Sequence, residues 1–270
     1  MKNKTVLVTG STDGIGKQTA LELAQQGAQV IVHGRSADKA RTVRDDIRRA
    51  TGNDRVAYAV ADLASLVDVR SLAQHVLMDY DRLDVLINNA GTFMQERTLS
   101  PDGYELTLAI NHLAPFLLTN LLLDRLQASA PARVITVSSV AHNRVRVDFD
   151  NLNGEKSFGG YAAYALSKLA NVLFAYELAE RVKAAGVTSN ALHPGVITTK
   201  LLASGFNTTG SSLAEGAATS VYLASSPDVH GVTGQYFDKC RAVASSPLSH
   251  DRGLQQQLWQ ISEQLTGLAK

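Results

Sequence analysis

Short apolar segments rich in β-branched residues alternate with longer helical patterns along the whole chain. Strands are predicted at Thr5–Thr9, Gln29–His33, Val56–Ala61, Asp84–Ile87, Arg133–Val137, Val187–Leu192 and Gln235–Phe237, and helices at Ile15–Gln26, Ala37–Ala50, Leu66–Asp79, Tyr104–Leu126, Tyr161–Ala184 and Ala214–Ala224. Because nearly all strand residues are apolar, both faces of the sheet should be buried. The alternation therefore predicts a doubly wound α/β fold, with a parallel sheet of about seven strands and helices on both faces.

The composition excludes several classes of function. A formal net charge of +1 gives no reason to expect binding to nucleic acid or to an anionic membrane. Cys240 is the single cysteine, which excludes an internal disulfide framework and fits a reducing compartment. The histidines lack metal-ligand spacing, so no metal site is predicted. No apolar stretch has the length of a signal peptide or a membrane span, and we expect a cytoplasmic protein without a membrane partner.

A glycine-rich turn follows the first predicted strand and opens the first predicted helix. It consists of Gly10, Ser11, Thr12, Asp13, Gly14, Ile15 and Gly16. Glycines allow the backbone to approach a pyrophosphate closely, and the helix N-terminus offers free N–H groups and a partial positive charge. In this strand–turn–helix context, the motif predicts a dinucleotide-binding site.

The end of the second predicted strand indicates which dinucleotide is preferred. NAD-binding proteins usually carry a carboxylate there for the ribose 2′-hydroxyl. This chain has Arg35 and Ser36 instead. A guanidinium can bind a 2′-phosphate through two hydrogen bonds, and Ser36 can contact it while capping the next helix. A solvated turn arginine is the simpler alternative, but the absent carboxylate favours NADP(H) over NAD.

Tyr164 and Lys168 lie four residues apart in a predicted helix, so their side chains share one face. An ammonium beside a phenol favours the phenolate and should lower the pKa of Tyr164, which would then exchange a proton with a carbonyl oxygen near neutral pH. Tyr161 is about 10 Å further along the axis from Lys168 and is the weaker candidate. The pair alone is weak, because a core tyrosine beside a snorkelling lysine has the same spacing.

Five motifs in order along nearly the whole chain resemble the short-chain dehydrogenase/reductase family, which implies a Rossmann-type fold. Besides the glycine-rich turn, they are the pair Asp62 and Leu63, the segment Asn88-Asn89-Ala90-Gly91, the set Asn111, Ser139, Tyr164 and Lys168, and the segment Pro194-Gly195-Val196-Ile197-Thr198-Thr199. Ser138-Ser139-Val140-Ala141-His142 and His193-Pro194-Gly195 are most similar to the branch of retinol dehydrogenases and WW-domain-containing oxidoreductases. Many NADP-dependent members carry a basic residue where Asp13 stands, so the NADP(H) prediction depends on Arg35.

The resemblance implies a role for each matching residue. Tyr164 would be the acid/base, and Lys168 would bind the nicotinamide ribose. Ser139 would orient the substrate oxygen, with Ser138 as its nearest rival, and Asn111 would hold a water that links Lys168 to solvent. The remaining cofactor contacts would come from Asp62, Leu63, Asn89, Ala90, Gly91, Pro194, Gly195, Ile197 and Thr199. Residues 1–130 would form the cofactor half and residues 131–270 the catalytic half of one domain.

The substrate end is less defined by the sequence. Phe93, Met94, Val140, Val196, Leu201 and Phe206 are predicted walls of an apolar pocket, although each could be plain core. Residues 198–212 are predicted to form a mobile lid. Leu117, Leu118, Leu121 and Leu122 could serve a homodimer or homotetramer interface, or be buried against the sheet.

The sequence thus predicts an NADP(H)-dependent oxidoreductase that acts on the carbonyl or alcohol group of a mostly apolar small molecule. The alternative is a nucleotide-binding sensor or scaffold protein with the same fold and little turnover. A Ser–His hydrolase is disfavoured, because no Gly-x-Ser-x-Gly turn precedes a helix.

Overall fold

A computed structural model describes residues 1–206 and 209–269, with only the backbone of residues 204–206. The described chain forms one sheet with the order β3-β2-β1-β4-β5-β6-β7-β8. The strands are β1 (Thr5–Val8), β2 (Gln29–Gly34), β3 (Val56–Val60), β4 (Val85–Asn88), β5 (Ala132–Val137), β6 (Val187–His193), β7 (Tyr236–Asp238) and β8 (Arg241–Val243). Strands β1 to β7 are parallel, so the predicted doubly wound fold is confirmed.

The eighth strand was not predicted. Strand β8 pairs antiparallel with β7 across the two-residue turn Lys239-Cys240. Both turn residues have positive φ, 48° and 59°, as a type I′ hairpin turn requires. Glycine and asparagine are the usual residues at such positions, and neither is present here. The three residues of β8 are all exposed, so the strand also lacks an apolar signal.

The helices cover both faces of the sheet. They are α1 (Gly14–Gln25), α2 (Ala37–Thr51), α3 (Leu66–Asp79), α4 (Leu106–Leu108), α5 (Ala114–Leu121), α6 (Leu123–Ala128), α7 (Gly160–Arg181), α8 (Lys200–Phe206), α9 (Leu213–Ser225) and α10 (Arg252–Thr266). In β1, Val6 and Val8 pack in the core cluster under α1, α2 and α9, while Leu7 packs in the cluster under α3, α5 and α7. Burial on both faces explains why the strands are continuously apolar.

The predicted long helix of residues 104–126 is interrupted. After α4, residues Ala109–Leu113 form a π-helical turn, and α5 follows with Pro115 in its first turn. Proline has no N–H, so Pro115 cannot donate to the carbonyl of Asn111 as a residue in a regular α-helix would. The interruption therefore lies at one of the predicted catalytic positions.

Helix α10 was also absent from the prediction, and it packs on α5 and α7. The ring of Trp259 packs on Phe116, at a centroid distance of 4.9 Å, and on Phe174, at 5.9 Å, and these two rings also contact each other. The guanidinium of Arg181 stands 4.1 Å from the centroid of the same indole ring. The buried carboxylate of Glu177 pairs with Arg181 and with Arg252. These contacts join the C-terminal helix to α7, which carries Tyr164 and Lys168, and to α5, which follows the turn of Asn111.

Candidate active site

A cavity of about 630 Å³ opens at the carboxyl ends of the parallel strands. The order in which strands are added to the sheet reverses between β1 and β4. Ligands of doubly wound sheets bind in the crevice at such a switch point. The predicted cofactor residues that line the cavity are Gly10, Thr12, Asp13, Gly14, Ile15, Gly16, Arg35, Asp62, Leu63, Asn89, Ala90, Gly91, Tyr164, Lys168, Pro194, Gly195, Ile197 and Thr199. The structure therefore gathers residues from both halves of the chain around one cleft.

The glycine-rich turn is shaped by close backbone packing. Gly10 has a φ of +62°, and a Cβ at this position would lie 2.8 Å from the Cα of Ala90. A Cβ at Gly16 would lie 2.4 Å from the side-chain nitrogen of Asn89. That nitrogen donates to the carbonyl of Thr9 at 2.8 Å. Asn89 therefore braces the turn against β4 in addition to lining the cavity.

Ser11 and Ser36 are the two predicted cofactor residues that do not line the cavity. The hydroxyl of Ser11 donates to the carbonyl of Val8 at 2.7 Å and accepts from the N–H of His33 at 2.8 Å, and the residue is fully buried away from the cavity. The hydroxyl of Ser36 accepts from the N–H of Lys39 and caps α2. Ser11 thus has a structural role between β1 and β2, and the predicted capping of α2 by Ser36 is confirmed.

The far end of the cleft holds Arg35, Asp62 and His33. Arg35 is exposed at the end of β2, and Asp62 follows β3. His33 was missed as a site residue, although it directly precedes Gly34 and Arg35. Its Nδ1 accepts from the N–H of Gly10 at 3.1 Å, and burial lowers its pKa to about 4. A neutral His33 therefore holds the first residue of the glycine-rich turn in place.

Tyr164 is buried at the near end of the cleft, and its ring meets Phe93 edge-on at a centroid distance of 5.7 Å. The predicted lowering of its pKa is wrong for this structure. Burial of the phenol raises the pKa of Tyr164 above its usual value, and a hydrogen bond with Ser139 opposes the rise. The Nζ of Lys168 lies 5.5 Å from the centroid of the Tyr164 ring. Desolvation is therefore the main influence on the phenol, which is neutral near pH 7.

Lys168 lies beside Tyr164 with its ammonium deep in the protein. Its Nζ donates to the carbonyl of Val137 at 3.2 Å, at the end of β5. Burial lowers the pKa of Lys168 to about 8. This carbonyl also accepts from the side chain of Asn171 at 3.2 Å. The lysine is thus held at the cleft wall by the strand that leads into Ser139.

The two neighbouring serines after β5 have different surroundings. The hydroxyl of Ser138 donates to the carbonyl of Lys168 at 2.7 Å. The hydroxyl of Ser139 accepts from the N–H of Ala141 at 3.2 Å and caps the 3-10 turn Val140–Asn143. The hydroxyl of Ser139 uses one lone pair in this contact and keeps its O–H, which can donate towards Tyr164 or a ligand. This arrangement favours Ser139 over Ser138 as the functional hydroxyl.

Asn111 stands behind the cleft wall in the π-helical turn. Its side-chain oxygen accepts from the N–H of Thr92 at 2.7 Å, and its side-chain nitrogen donates to Ser167 at 2.9 Å. A Cβ placed on Gly91 would lie 3.4 Å from both the side-chain oxygen of Asn111 and the Nζ of Lys168. The side chain of Asn111 therefore ties the β4 loop to α7 and lies close to Lys168.

The predicted apolar walls are found in part. Val140, Val196 and Leu201 line the cavity, and the first two are about half exposed at its mouth. Phe93 packs on Tyr164, and Met94 lies within reach of the hydroxyl of Thr92. The side chain of Phe206, and part of the predicted lid at residues 198–212, fall outside what the structure describes. Helix α8 occupies the described beginning of that segment.

Several further residues line the cleft. They include Tyr161, Ile110, His193 and Lys200. Lys200 forms an ion pair with Asp13, so a cation from α8 faces the acidic residue of the glycine-rich turn. His193 ends β6 and directly precedes the Pro194-Gly195 segment.

The cleft fits a nicotinamide dinucleotide. The turn at Gly10 and Gly16 has no room for side chains, which leaves the backbone open to a pyrophosphate. The cavity continues from there to Tyr164 and Lys168. Among the described residues, no group of acidic, histidine and cysteine side chains could hold a metal ion, and no helix could span a membrane. Fold and cleft together define a dinucleotide-binding oxidoreductase of the doubly wound class.

Comparisons with known proteins agree. The family model for short chain dehydrogenases matches residues 4–209. Retinol dehydrogenase 14 of Homo sapiens is 41% identical, covering 100% of this chain and 88% of the relative. A crystal structure of a protein from Mycobacterium paratuberculosis has a TM-score of 0.81 at 34% identity, covering 98% of this chain and 94% of that one. A short chain dehydrogenase structure from Escherichia coli CFT073, complexed with NADPH, has a TM-score of 0.73 at 28% identity, covering 89% and 98%.

The chain therefore belongs to the short-chain dehydrogenase/reductase family and is similar to its retinol dehydrogenases. This confirms the resemblance found in the sequence motifs. It also establishes oxidoreduction of alcohol and carbonyl groups with a nicotinamide cofactor as the class of activity.

Proposed function

We propose that this protein is an NADP(H)-dependent oxidoreductase that acts on the carbonyl or alcohol group of a mostly apolar small molecule. The observation that carries the proposal is the convergence of Tyr164, Ser139 and Lys168 on the cavity that the glycine-rich turn also lines. A bound nicotinamide would supply or accept the hydride, while the protein orients the substrate and handles the proton. The half-exposed Val140 and Val196 at the mouth favour an apolar substrate.

Tyr164 would donate the proton in carbonyl reduction. Its phenol is protonated near neutral pH, so it holds the proton that a general acid must donate. The hydroxyl of Ser139, with a lone pair occupied by the N–H of Ala141, would donate a second hydrogen bond to the same substrate oxygen. Lys168 would contact the ribose beside the nicotinamide and contribute positive charge at this end of the cleft.

Replacing the phenol tests this assignment. Tyr164→Phe should reduce turnover of an aldehyde by about a hundredfold or more, because the proton donor is lost, while the NADPH dissociation constant stays within about twofold. The assay follows NADPH oxidation with a panel of alkyl aldehydes, aromatic ketones and all-trans-retinal, and fluorescence titration measures NADPH binding. Tyr161→Phe, at a neighbouring position of the same cavity, is the matched control and should keep its kcat.

Undiminished kcat in Tyr164→Phe would exclude the phenol as the acid. If the wild-type protein binds NADPH but turns over no member of the panel, the sensor or scaffold alternative is supported instead. A cytoplasmic location and a homodimer or homotetramer stay predictions.

Cofactor preference is tested at Arg35. The exposed guanidinium at the end of β2 should bind the 2′-phosphate of NADP, with Ser36 and the start of α2 beside it. Because a charge-assisted hydrogen bond contributes about 1.5–3 kcal/mol, Arg35→Ala should weaken NADPH binding by about 10- to 100-fold and NADH binding by less than about twofold. Arg41→Ala removes an exposed arginine of α2 that pairs with Asp38, and it is the control. Equal losses for both cofactors would contradict phosphate recognition.

A further inference from the structure

A buried histidine lies directly behind the proposed catalytic serine. His142 has no exposed surface, and its ring packs on Tyr236 at a centroid distance of 4.6 Å. Its Nδ1 lies 2.6 Å from the carbonyl oxygen of Ser139. Its Nε2 lies 3.0 Å from the backbone nitrogen of Ser246. Both ring nitrogens are therefore occupied by backbone groups.

The two contacts determine which ring nitrogen carries the proton. The N–H of Ser246 can only donate, so Nε2 must be the unprotonated acceptor. Burial lowers the pKa of His142, which keeps the ring neutral, so the single proton lies on Nδ1. Nδ1 then donates to the carbonyl of Ser139. Because neither nitrogen faces the hydroxyl of Ser139, His142 cannot act as its general base.

The carbonyl of Ser139 is held from two sides by the same residue. The backbone N–H of His142 donates to it at 3.1 Å, in addition to the bond from the ring. On its other side, the hydroxyl of Ser139 accepts from the N–H of Ala141. The turn Val140–Asn143 is thus closed around Ser139, and the direction of the hydroxyl depends on this turn.

The other partner of His142 lies in a distant part of the chain. Ser246 follows β8 and precedes α10, beyond residues 4–209 that the family model matches. The neighbouring Ser245 is itself anchored, because its hydroxyl lies 2.8 Å from the hydroxyl of Tyr176 in α7. His142 therefore connects the serine turn to a C-terminal segment that is fixed to the helix of Tyr164 and Lys168.

We propose that His142 is a positioning residue, whose ring holds the carbonyl of Ser139 through Nδ1 and is itself held by the N–H of Ser246 at Nε2. This fixes the turn that presents the hydroxyl of Ser139 to the substrate oxygen. The inference rests on the proposed function, since it assigns a task to a residue that supports Ser139.

Two substitutions separate the two bonds of the ring. The amide of asparagine can replace Nδ1, so His142→Asn keeps a donor for the carbonyl of Ser139 and loses the contact with Ser246. The longer glutamine places its amide near Nε2, so His142→Gln keeps an acceptor for Ser246 and loses the donor. A third variant, Ser246→Pro, leaves the ring of His142 intact and removes the N–H that binds it, together with the serine hydroxyl; the φ of −51° at this position suits proline.

The expected results differ between the variants. In His142→Gln, kcat should fall by about 10- to 100-fold, because a displaced catalytic group costs this much, while KM and the NADPH dissociation constant change by less than about threefold. His142→Asn should retain kcat within about threefold. Ser246→Pro should likewise retain kcat within about threefold, because it also loses the contact at Nε2 and keeps the donor to the carbonyl of Ser139. His250→Asn, the same change at an exposed histidine that contacts Ser245, is the control and should be unaffected.

A measurement that needs no substrate tests the role of His142 separately from the proposed function. Amide hydrogen exchange of the peptide spanning residues 138–146, measured in the folded protein, should be faster in His142→Gln than in the wild type and unchanged in His142→Asn. If no substrate is turned over by the wild type, the proposed function fails while the exchange rates still decide what His142 does. Equal kcat and equal exchange in the glutamine and asparagine variants would overturn the positioning role.

Discussion

The buried His33 makes the stability of the folded protein depend on pH. His33 accepts from the N–H of Gly10 through Nδ1, which requires the neutral ring, and burial lowers its pKa from 6.5 to about 4. The unfolded chain therefore binds more protons than the folded protein between about pH 4 and 6.5. By this linkage the free energy of unfolding decreases as the pH falls through that window, and it is unaffected by His33 above it. His112, with its pKa also lowered to about 4, contributes in the same direction.

We predict that His33→Asn makes the stability less sensitive to acid. The asparagine oxygen can accept from the N–H of Gly10 but has no proton to gain, so the slope of unfolding free energy against pH should drop by up to about 1.4 kcal/mol per pH unit inside the window. Urea unfolding at several pH values between about 4 and 7 measures the slope. His230→Asn, an exposed histidine, should leave it unchanged. An unchanged slope in His33→Asn would show that the ring is not neutral or not buried in solution.

At the residue scale, the sequence patterns predicted the positions of the site residues well. They did not predict the burial of these side chains or the pKa shifts that burial causes. Tyr164, Ser139 and Lys168 meet at one cavity because helix spacing and strand ends determine their places. The expected pKa of Tyr164 was wrong in direction because it counted the lysine charge and not the burial of the phenol. Ser11 was misplaced for a related reason: the partners of a hydroxyl depend on its neighbouring strand, which a local motif does not show.

At the scale of elements, Pro115 gives the predicted catalytic helix its irregular geometry. In Pro115→Ala, the restored N–H could donate to the carbonyl of Asn111, and alanine is also the better helix former. We predict that residues 106–121 become a regular α-helix, that thermal stability is retained or increased, and that kcat falls about tenfold or more as Asn111 moves relative to Lys168. Thermal denaturation and steady-state kinetics measure the two effects.

Pro227→Ala is the matched control, since Pro227 also lies at the start of a helical turn but outside the cleft. A variant with full turnover and a regular helix would show that the π-helical turn is not needed for the reaction.

The elements that the sequence did not reveal fall into two groups. Strand β8 had no usable signal, because its turn lacks glycine and its residues are exposed. Helix α10 did carry a signal: Asp251 caps its start, Gly267 ends it in the left-handed conformation, and Leu254, Leu258, Ile261 and Leu265 recur at helical spacing. The seven parallel strands were predictable to within one or two residues, because burial on both faces leaves long apolar runs.

At the scale of the whole molecule, α10 closes the face of α5 and α7 within the chain. Leu117, Leu118 and Leu122, which could have served an oligomer interface, are completely buried in the same cluster as Trp259. Among the described residues, these three leucines are therefore part of the protomer core. A dimer or tetramer would need another surface, such as the outer face of α10.

We predict that Trp259→Ala destabilises the protein by about 3–5 kcal/mol, the cost expected for removing a large buried aromatic side chain. Trp259→Phe should cost less, because it keeps a ring packed on Phe116 and Phe174. Denaturant unfolding followed by circular dichroism measures both. A loss below about 1 kcal/mol in the alanine variant would mean that α10 does not pack on α5 and α7 in solution.

The position of this indole also has an optical consequence. Trp259 is the only tryptophan in the chain, and its ring nitrogen donates to Glu263 at 2.8 Å while Arg181 covers one face. The tryptophan emission of the protein therefore reports on one location, the contact between α10 and the helices α5 and α7. Without any added dye, a shift of that emission towards longer wavelength would signal that α10 has detached from α5 and α7. Comparing the timing of this shift with the loss of activity would show whether catalysis persists after α10 has detached.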